Sequence, residues 1–410
     1  MSRADAGLPG YPVSMKRLIL FDDGGSDLGP LGDLRRSFQQ RTGVYTGLGR
    51  AERSLGCTAE LHAFSGDLEL CREQTRRSIT DPSDPSEAIL VNGRLLIGGR
   101  LPVPSSGSAL VTEDGSVAIA TLSGEALREF LESGRLPTGV ATELAPGSCF
   151  TRPWHILDGL PERITADVEL AEPVAGVPQH VLLAGDHPCV LESGVRIGPG
   201  TVLDTTLGPI LLSTSCTVQA NAVLRGPCAI GMDCLVADRA LIKPGTSLGP
   251  GCKVGGELGS TVMQAHSNKV HDGHLGDALV GEWVNFGAGT ESSNLLNTYG
   301  EVTMRMSPDQ SLERTGRQFM GCVVGDHSKL AIGTRIMTGT TIGTGSMIAA
   351  STPPPATTPR FAWVTDAGTR VYGLRKFLEV VRTVLARRAL EPGAALRARL
   401  EALHPEGDRD

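Results

Sequence analysis

Apolar side chains recur at every sixth position through Val218, Leu224, Ile230, Val236, Ile242, Leu248 and Val254. The same spacing returns downstream at Val324, Leu330, Ile336, Ile342 and Ile348. A helix buries a stripe of period 3.6 and a half-buried strand alternates with period 2, so neither accounts for a period of six. A chain winding into a coil does, when each flat face takes one hexapeptide. The apolar residue of each hexad then points inward and stacks on the one a coil earlier, while small or polar residues turn the corners. The units IGPGTV (197–202), IKPGTS (242–247), LGPGCK (248–253) and IGTGSM (342–347) have this form. The pattern predicts a parallel β-helix. It begins raggedly near Leu191, with Ile197 and Leu203 in a shifted frame. Residues 256–279 break the period, Val280 and Phe286 restore it briefly, and residues 291–320 interrupt it again before a last run to about Ala350. Insertions loop out of the side of a solenoid and often carry its binding site.

No hexads precede Thr165. MKRLILF reads as a first strand followed by a Gly/Asp loop, DDGGSDLG. Ala88–Val91 and Arg94–Ile97 flank Asn92-Gly93, and Ala109–Thr112 and Val117–Leu122 flank Asp114-Gly115; both are strand–turn–strand signals. Ser123 can cap a helix over Glu125–Glu132 that ends at Gly134. The expected organisation is a disordered leader (1–14, with Met15 a possible start), a mixed α/β domain (15–165), the coil (166–351), a linker containing TPPPATTP (352–368) and a helical tail (369–410). In that tail Leu374, Phe377, Leu378, Val381, Val384 and Leu385 share one helix face.

Composition narrows the function. Glycine is 52 of 410 residues, and tight corners need residues free of a Cβ. A net charge of −7 with 4% aromatic residues argues against a nucleic-acid partner. Nine cysteines without a CxxC pair, several of them inside hexads (Cys216, Cys228, Cys234, Cys252), read as buried reduced thiols. The longest apolar runs near the start are too short for a signal segment or a membrane span. A cytoplasmic protein with no membrane partner is expected.

Candidate chemistry concentrates in QAHSNKVHDGHLGDALVGEWVNFGAGTESSNLLNTYG (264–300). Three histidines, an interposed lysine, a GAGT turn and four asparagines fall beside the break in the repeat. The segment LGDALVGEWVNFGAGTESSN (275–294) resembles the acetyltransferase half of the bifunctional bacterial family that acetylates glucosamine 1-phosphate and then uridylylates the product. The longer string SNKVHDGHLGDALVGEWVNFGAGT resembles still more a divergent branch of sugar nucleotidyltransferase-like proteins. The resemblance covers roughly 190–390 and implies a left-handed β-helix, a homotrimer, and acetyl-CoA as co-substrate bound between neighbours. It implies an N-acetyltransferase acting on an amino-sugar phosphate or sugar nucleotide, in UDP-N-acetylglucosamine or envelope polysaccharide synthesis.

By the same resemblance His271, four residues before the LGD motif, is the general base on the sugar amine. A group titrating near neutrality suits that role. Asn294 matches an Asn contacting substrate and acetyl group. Lys243 stands where the family has a phosphate-gripping Arg, keeping the charge but losing the bidentate fork. Lys269, His274 and Tyr299 are further substrate contacts, and Asp326 and Ala331 contacts of acyl-CoA. His274 replaces a family Tyr and Asp326 a family Ser near the thioester, which leaves the acceptor and acyl donor open.

Upstream the family pattern fades. The loop lacks the basic Gly-rich string and the Pro-Lys pair that hold nucleotide phosphates. Asp22, Asp23 and Asp27 could hold Mg²⁺, and Arg35, Arg36 and Arg41 could meet phosphates, should this divergent nucleotidyltransferase-like domain be active. No resident metal is otherwise expected. Two alternatives stand: a non-catalytic trimeric sugar-nucleotide binder, and a zinc enzyme resembling γ-type carbonic anhydrases, because His266 and His271 have HxxxxH spacing with His274 nearby.

Overall fold

The computed structural model describes residues 17–405. The leader 1–14, Met15 and the last five residues of the tail lie outside the described residues. Strand β1 (Arg17–Asp22) is followed by α1 (Gly47–Leu55), β2 (Ala59–Ala63), α2 (Glu69–Thr75), β3 (Ala88–Asn92), β4 (Ser108–Val111), β5 (Val117–Leu122), α3 (Gly124–Ser133), β6 (Ala141–Leu144) and α4 (Leu160–Val168). The sheet runs β2-β1-β3-β5-β4-β6 and is mixed: β1 pairs in parallel with both β2 and β3, while β3 and β4 each lie antiparallel to β5. The Asp114-Gly115 signal is a true hairpin, β4 to β5. The Asn92-Gly93 signal is not. Both edges of β3 are taken by β1 and β5, and Leu95–Leu96 turns away to pair with Ser148–Cys149. Helix α3 ends at Gly134 in the left-handed conformation, as a C-terminal cap requires.

From Leu182 onward short parallel strands stack in three sheets, one per face of the coil. The hexad residues are its interior. Ile230 sits on Leu248, Val218 on Val236 and then Val254, and Leu224 on Ile242. Each of these is fully buried in one cluster running the length of the coil. The second run continues the same stacks, Val324 under Ile342 and Leu330 under Ile348.

The two interruptions differ in kind. Residues 291–320 do leave the coil: after Glu291–Ser292 the chain runs out, forms an antiparallel pair of Thr303–Met304 with Glu313–Arg314, and re-enters at Cys322. Residues 256–279 do not leave it. Leu258, Met263, Leu275 and Val280 still stack in register. The period is lost because three steps are shortened (Val254 to Leu258, Leu258 to Met263, Leu275 to Val280) and because one inward position, stacked on Val254, is Lys269.

The first face of the coil (Cys228–Ile230 and its neighbours) is buried on both sides. Its outward residues Val190, Leu211, Ala229, Val262, Leu279 and Val323 pack with Trp154, Ile156, Leu160 and Ile164, so triplets such as Ile210–Leu212 and Cys322–Val324 are apolar throughout rather than alternating. The corner between the first and second faces needs a left-handed residue in every coil. Gly251 and Gly345 supply it cheaply, whereas His266, Trp283 and His327 adopt it at φ 54°, 60° and 60°. For side chains of this size that backbone is costly. Here it is repaid by stacking: His266 lies against Trp283 with ring centroids 4.3 Å apart, and Trp283 stacks on His327. Helix α5 (Leu374–Ala386) closes over the ladder through Phe377, and α6 (Ala394–Leu403) returns to α2. Among the described residues no helix is long and apolar enough to cross a membrane.

Candidate functional site

The corner between the second and third faces carries His271. It is unusual beneath. The inward position preceding it is Lys269, 1% exposed in the coil interior. Its Nζ donates to the carbonyls of His271, Asp272 and Gly273 at 2.8, 2.7 and 3.2 Å. Burial pulls this ammonium below its ordinary pKa. An ionisable group is costly to bury without compensation, and three carbonyls of one corner supply it. Lys269 therefore fastens the backbone of the corner from inside. It does not face a substrate, contrary to expectation, because its side chain points inward. The imidazole of His271 is exposed and makes no hydrogen bond to any described residue.

Beside this corner the third face presents a polar column. His274 pairs in register with Glu257, and its Nδ1 lies 3.5 Å from Glu257 Oε1. Lys243 Nζ donates to the same carboxylate at 3.0 Å, and this contact with Lys243 holds Glu257 below the usual carboxylate range. The backbone N–H of His274 donates to Glu291 at 2.7 Å. One step along, Asn294 Nδ2 donates to Asp277 at 2.7 Å, and Arg317 from the excursion lies 3.6 Å from Asp277. Burial raises the Asp277 carboxyl despite both partners.

Gly259 and Gly276 line the floor between these side chains, and neither has a positive φ. A Cβ on Gly276 would stand 2.6 Å from His274 Nε2 and 2.8 Å from Asn294 Nδ2; one on Gly259 would stand 3.3 Å from Lys243 Cβ. These glycines keep the surface open rather than turn the chain. Lys243, His274 and Asn294 are thus brought to one face next to His271. Glu257, Glu291, Asp277 and Arg317 share the site and were not read from the sequence, because the shortened coils hide which residues fall in one column. The inward lysine left only a missing apolar residue as its signal.

Other expected residues lie elsewhere. Tyr299 is 70% exposed on the excursion. Ala331 is in the corner two coils beyond His271, its carbonyl accepting from Thr334 at 2.7 Å. Asp326 is not at an exposed acyl site. It is buried where the coil meets the N-terminal region, ion-paired with Arg35 and accepting the Glu282 N–H at 2.6 Å. Burial raises its pKa to about 6 even with Arg35 beside it. Arg35 is accordingly no phosphate ligand: the junction uses it. His266 is stacked on Trp283 at a different corner from His271, so the HxxxxH spacing does not converge. Among the described residues no three His, Cys, Asp or Glu side chains are grouped to hold a metal ion.

The N-terminal loop is likewise committed. Asp23 accepts two hydrogen bonds from Arg94, both 2.6 Å, and one from Asn92 at 2.8 Å. Against the cost of burial, Arg94 keeps this carboxyl below its ordinary range. Asp22 is buried, accepts from the Gly24 N–H and lies 3.7 Å from Arg36. A Mg²⁺ ion needs free carboxylate oxygens, and those of Asp23 are taken, so the loop as folded does not fit the ion.

The chain is similar to curated proteins named bifunctional protein GlmU. It is 30% identical over 138 residues to that of Nostoc sp. (33% of this chain, 29% of that protein). It is 31% identical over 150 residues to that of Rippkaea orientalis (33% of this chain, 28% of that protein). The match spans less than a third of the length of these relatives. No family model matches the chain.

Proposed function

We propose that the protein is an acyl-CoA-dependent N-acetyltransferase of an amino-sugar phosphate or sugar nucleotide, with His271 as general base. The observation that carries this reading is an unpartnered, exposed imidazole on a corner fastened from beneath by Lys269, beside the open floor of Gly259 and Gly276. Similarity to the bifunctional GlmU proteins supports the transferase class. His271 takes the proton from the sugar amine as nitrogen attacks the thioester carbonyl. The tetrahedral intermediate expels the CoA thiolate, which recovers a proton from the imidazolium. Lys243 and Asn294 orient the acceptor, and Ala331, two coils beyond, is a contact of acyl-CoA. Asp326 lies away from His271 and so does not oppose an oxyanion there.

On this reading the coil is left-handed, three copies assemble with acyl-CoA between neighbours, and the product feeds UDP-N-acetylglucosamine or envelope polysaccharide supply in the cytoplasm. Domain limits near 165 and 351 are part of the proposal. The N-terminal region is taken as structural rather than nucleotidyl-transferring, because Arg94 occupies Asp23. The test is thiol release from acetyl-CoA with glucosamine 1-phosphate, for wild type and His271→Ala. Release requiring both sugar and His271 supports the proposal. Binding without release under any acyl donor leaves the non-catalytic alternative.

A further inference from the structure

A second feature lies on the far side of α1. A cleft of about 730 Å³ separates the segment Gln39–Thr58 from the coil corners at Pro250, Gln264 and Ala265. That volume is in the range that takes a small organic ligand. Arg41 lines it and is 8% exposed. Its NH1 donates to the Val44 carbonyl, its Nε has no partner, and no described carboxylate pairs with it. A buried guanidinium without a counter-charge is costly.

The acids nearby are already engaged. Asp167 holds Arg50 with two bonds of 2.7 Å, Glu52 holds Arg77 at 2.6 and 2.9 Å, and Glu282 lies 3.4 Å from Arg35. On its coil side Arg41 interacts with the Cys234 and Cys252 thiols, and against the cost of burial the hydrogen bond from Cys234 together with Arg41 draws Cys252 below its ordinary pKa. A second cation faces the same cleft. Arg53 is exposed, makes no ion pair among the described residues, and lies 4.7 Å over the Tyr45 ring. The Tyr45 hydroxyl is itself buried without a partner. Thr46 caps the start of α1, so the positive end of the helix dipole also opens here.

We infer that this cleft binds the phosphate group of a small phosphorylated metabolite, with Arg41 and Arg53 as its cations and the Tyr45 hydroxyl as a further donor. Two guanidiniums suit a phosphate, whose several oxygens accept paired hydrogen bonds. The volume left beyond the anion takes the rest of the molecule. The site is separate from the His271 corner and does not depend on the reaction proposed there.

Inorganic pyrophosphate is the probe, titrated calorimetrically into the full chain at constant ionic strength. Arg53→Ala alters an exposed side chain and spares the fold; Tyr45→Phe removes one donor. Arg382→Ala and Lys243→Ala are controls, the first on the exposed face of α5 and the second at the acceptor site. Saturable binding is expected in the wild type and both controls, weakened about tenfold by Arg53→Ala and less by Tyr45→Phe, as expected for losing a charge-assisted and a neutral hydrogen bond respectively. No saturable binding at millimolar pyrophosphate overturns the inference. So does equal binding by wild type and Arg53→Ala, or a loss confined to Lys243→Ala, which would put the anion in the acceptor site.

Discussion

Within one coil, the stretch from Ile210 to Val254 and the stretch from Glu257 to Asn294 are built on different terms. In the first, every hexad position from Leu212 to Val254 is apolar and fully buried, the steps are even, and stability follows from stacking. In the second the steps shorten, a lysine replaces an inward apolar residue, and glycines open the outer surface of the third face. Nothing about parallel pairing demanded those changes, since the register continues through them. They cost stability locally and place an imidazole, a lysine, an amide and several carboxylates within one corner and its adjoining face. Sites that depart from local rules in this way are where function is to be sought.

The sharpest way to break the comparison is His271→Ala. Loss of a positioned general base lowers the rate by about 10²–10⁴-fold, and an exposed, unpartnered side chain leaves stability nearly unchanged. Thiol-release kinetics beside a thermal melt read both. A variant retaining most of its rate would return His271 to an ordinary surface residue. In the regular stretch the expectation is reversed. Leu248 is stacked between Ile230 and Met263, and Leu248→Ala should cost about 3–5 kcal/mol by denaturant unfolding. The surviving folded fraction should keep its turnover. A cost below about 1 kcal/mol would mean that the interior is loosely packed there.

The regular stretch was legible because its period matches its geometry: one hexad per face, one inward residue per hexad. The Asp114-Gly115 hairpin and the Gly134 helix end were legible for the same local reason. The rest was hidden by tertiary demands. Shortened steps at 256–279 look like an exit from the coil, though hydrogen bonding across coils carries the chain through them. Asn92-Gly93 looks like a hairpin until both neighbours of β3 are known. Arg35 and Asp326, 291 residues apart, are ordinary charges in sequence and one ion pair in the fold. His266, Trp283 and His327 stand where glycine would be cheaper, and their stacking across coils is the compensation that no local pattern reveals. Of the candidate site, the histidines and Asn294 could be named from a motif. Glu257, Glu291 and the inward role of Lys269 required the coil.

Lys269 sharpens the comparison further. Lys269→Met places an unbranched apolar side chain on Val254, as the regular stretch would have it. Replacing a buried charge by a hydrophobe of similar volume is often neutral or stabilising, so stability should stay within about 1 kcal/mol of wild type or rise. The corner carbonyls at 271–273 then lose their common donor, and His271 its fixed position. We expect kcat to fall about tenfold with KM little changed. Unfolding of the variant, or an unchanged kcat, would make Lys269 a structural residue only.

The smallest effect concerns a second buried lysine. Lys329 Nζ donates to the Trp283 and His327 carbonyls at 2.6 and 3.0 Å, beneath the aromatic ladder, and burial lowers its pKa to about 8. Its ordinary value is 10.5. Between these the unfolded chain holds a proton that the folded chain has released, so stability rises as pH increases from about 8 to about 10.5. Below about 8 both states are charged and the full burial penalty is present. Lys329→Met removes this pH-dependent contribution together with the two hydrogen bonds to the carbonyls. Its stability relative to wild type should therefore be greater at about pH 7 than at about pH 10, by about 2–3 kcal/mol, in paired urea titrations. Burial lowers both lysines, so both contribute to stability against pH; lysine at 269 serves a site and lysine at 329 a corner, so only the second should do so while leaving turnover alone. Parallel pH curves for wild type and Lys329→Met would mean that Lys329 keeps its charge throughout, held by the two carbonyls it bridges.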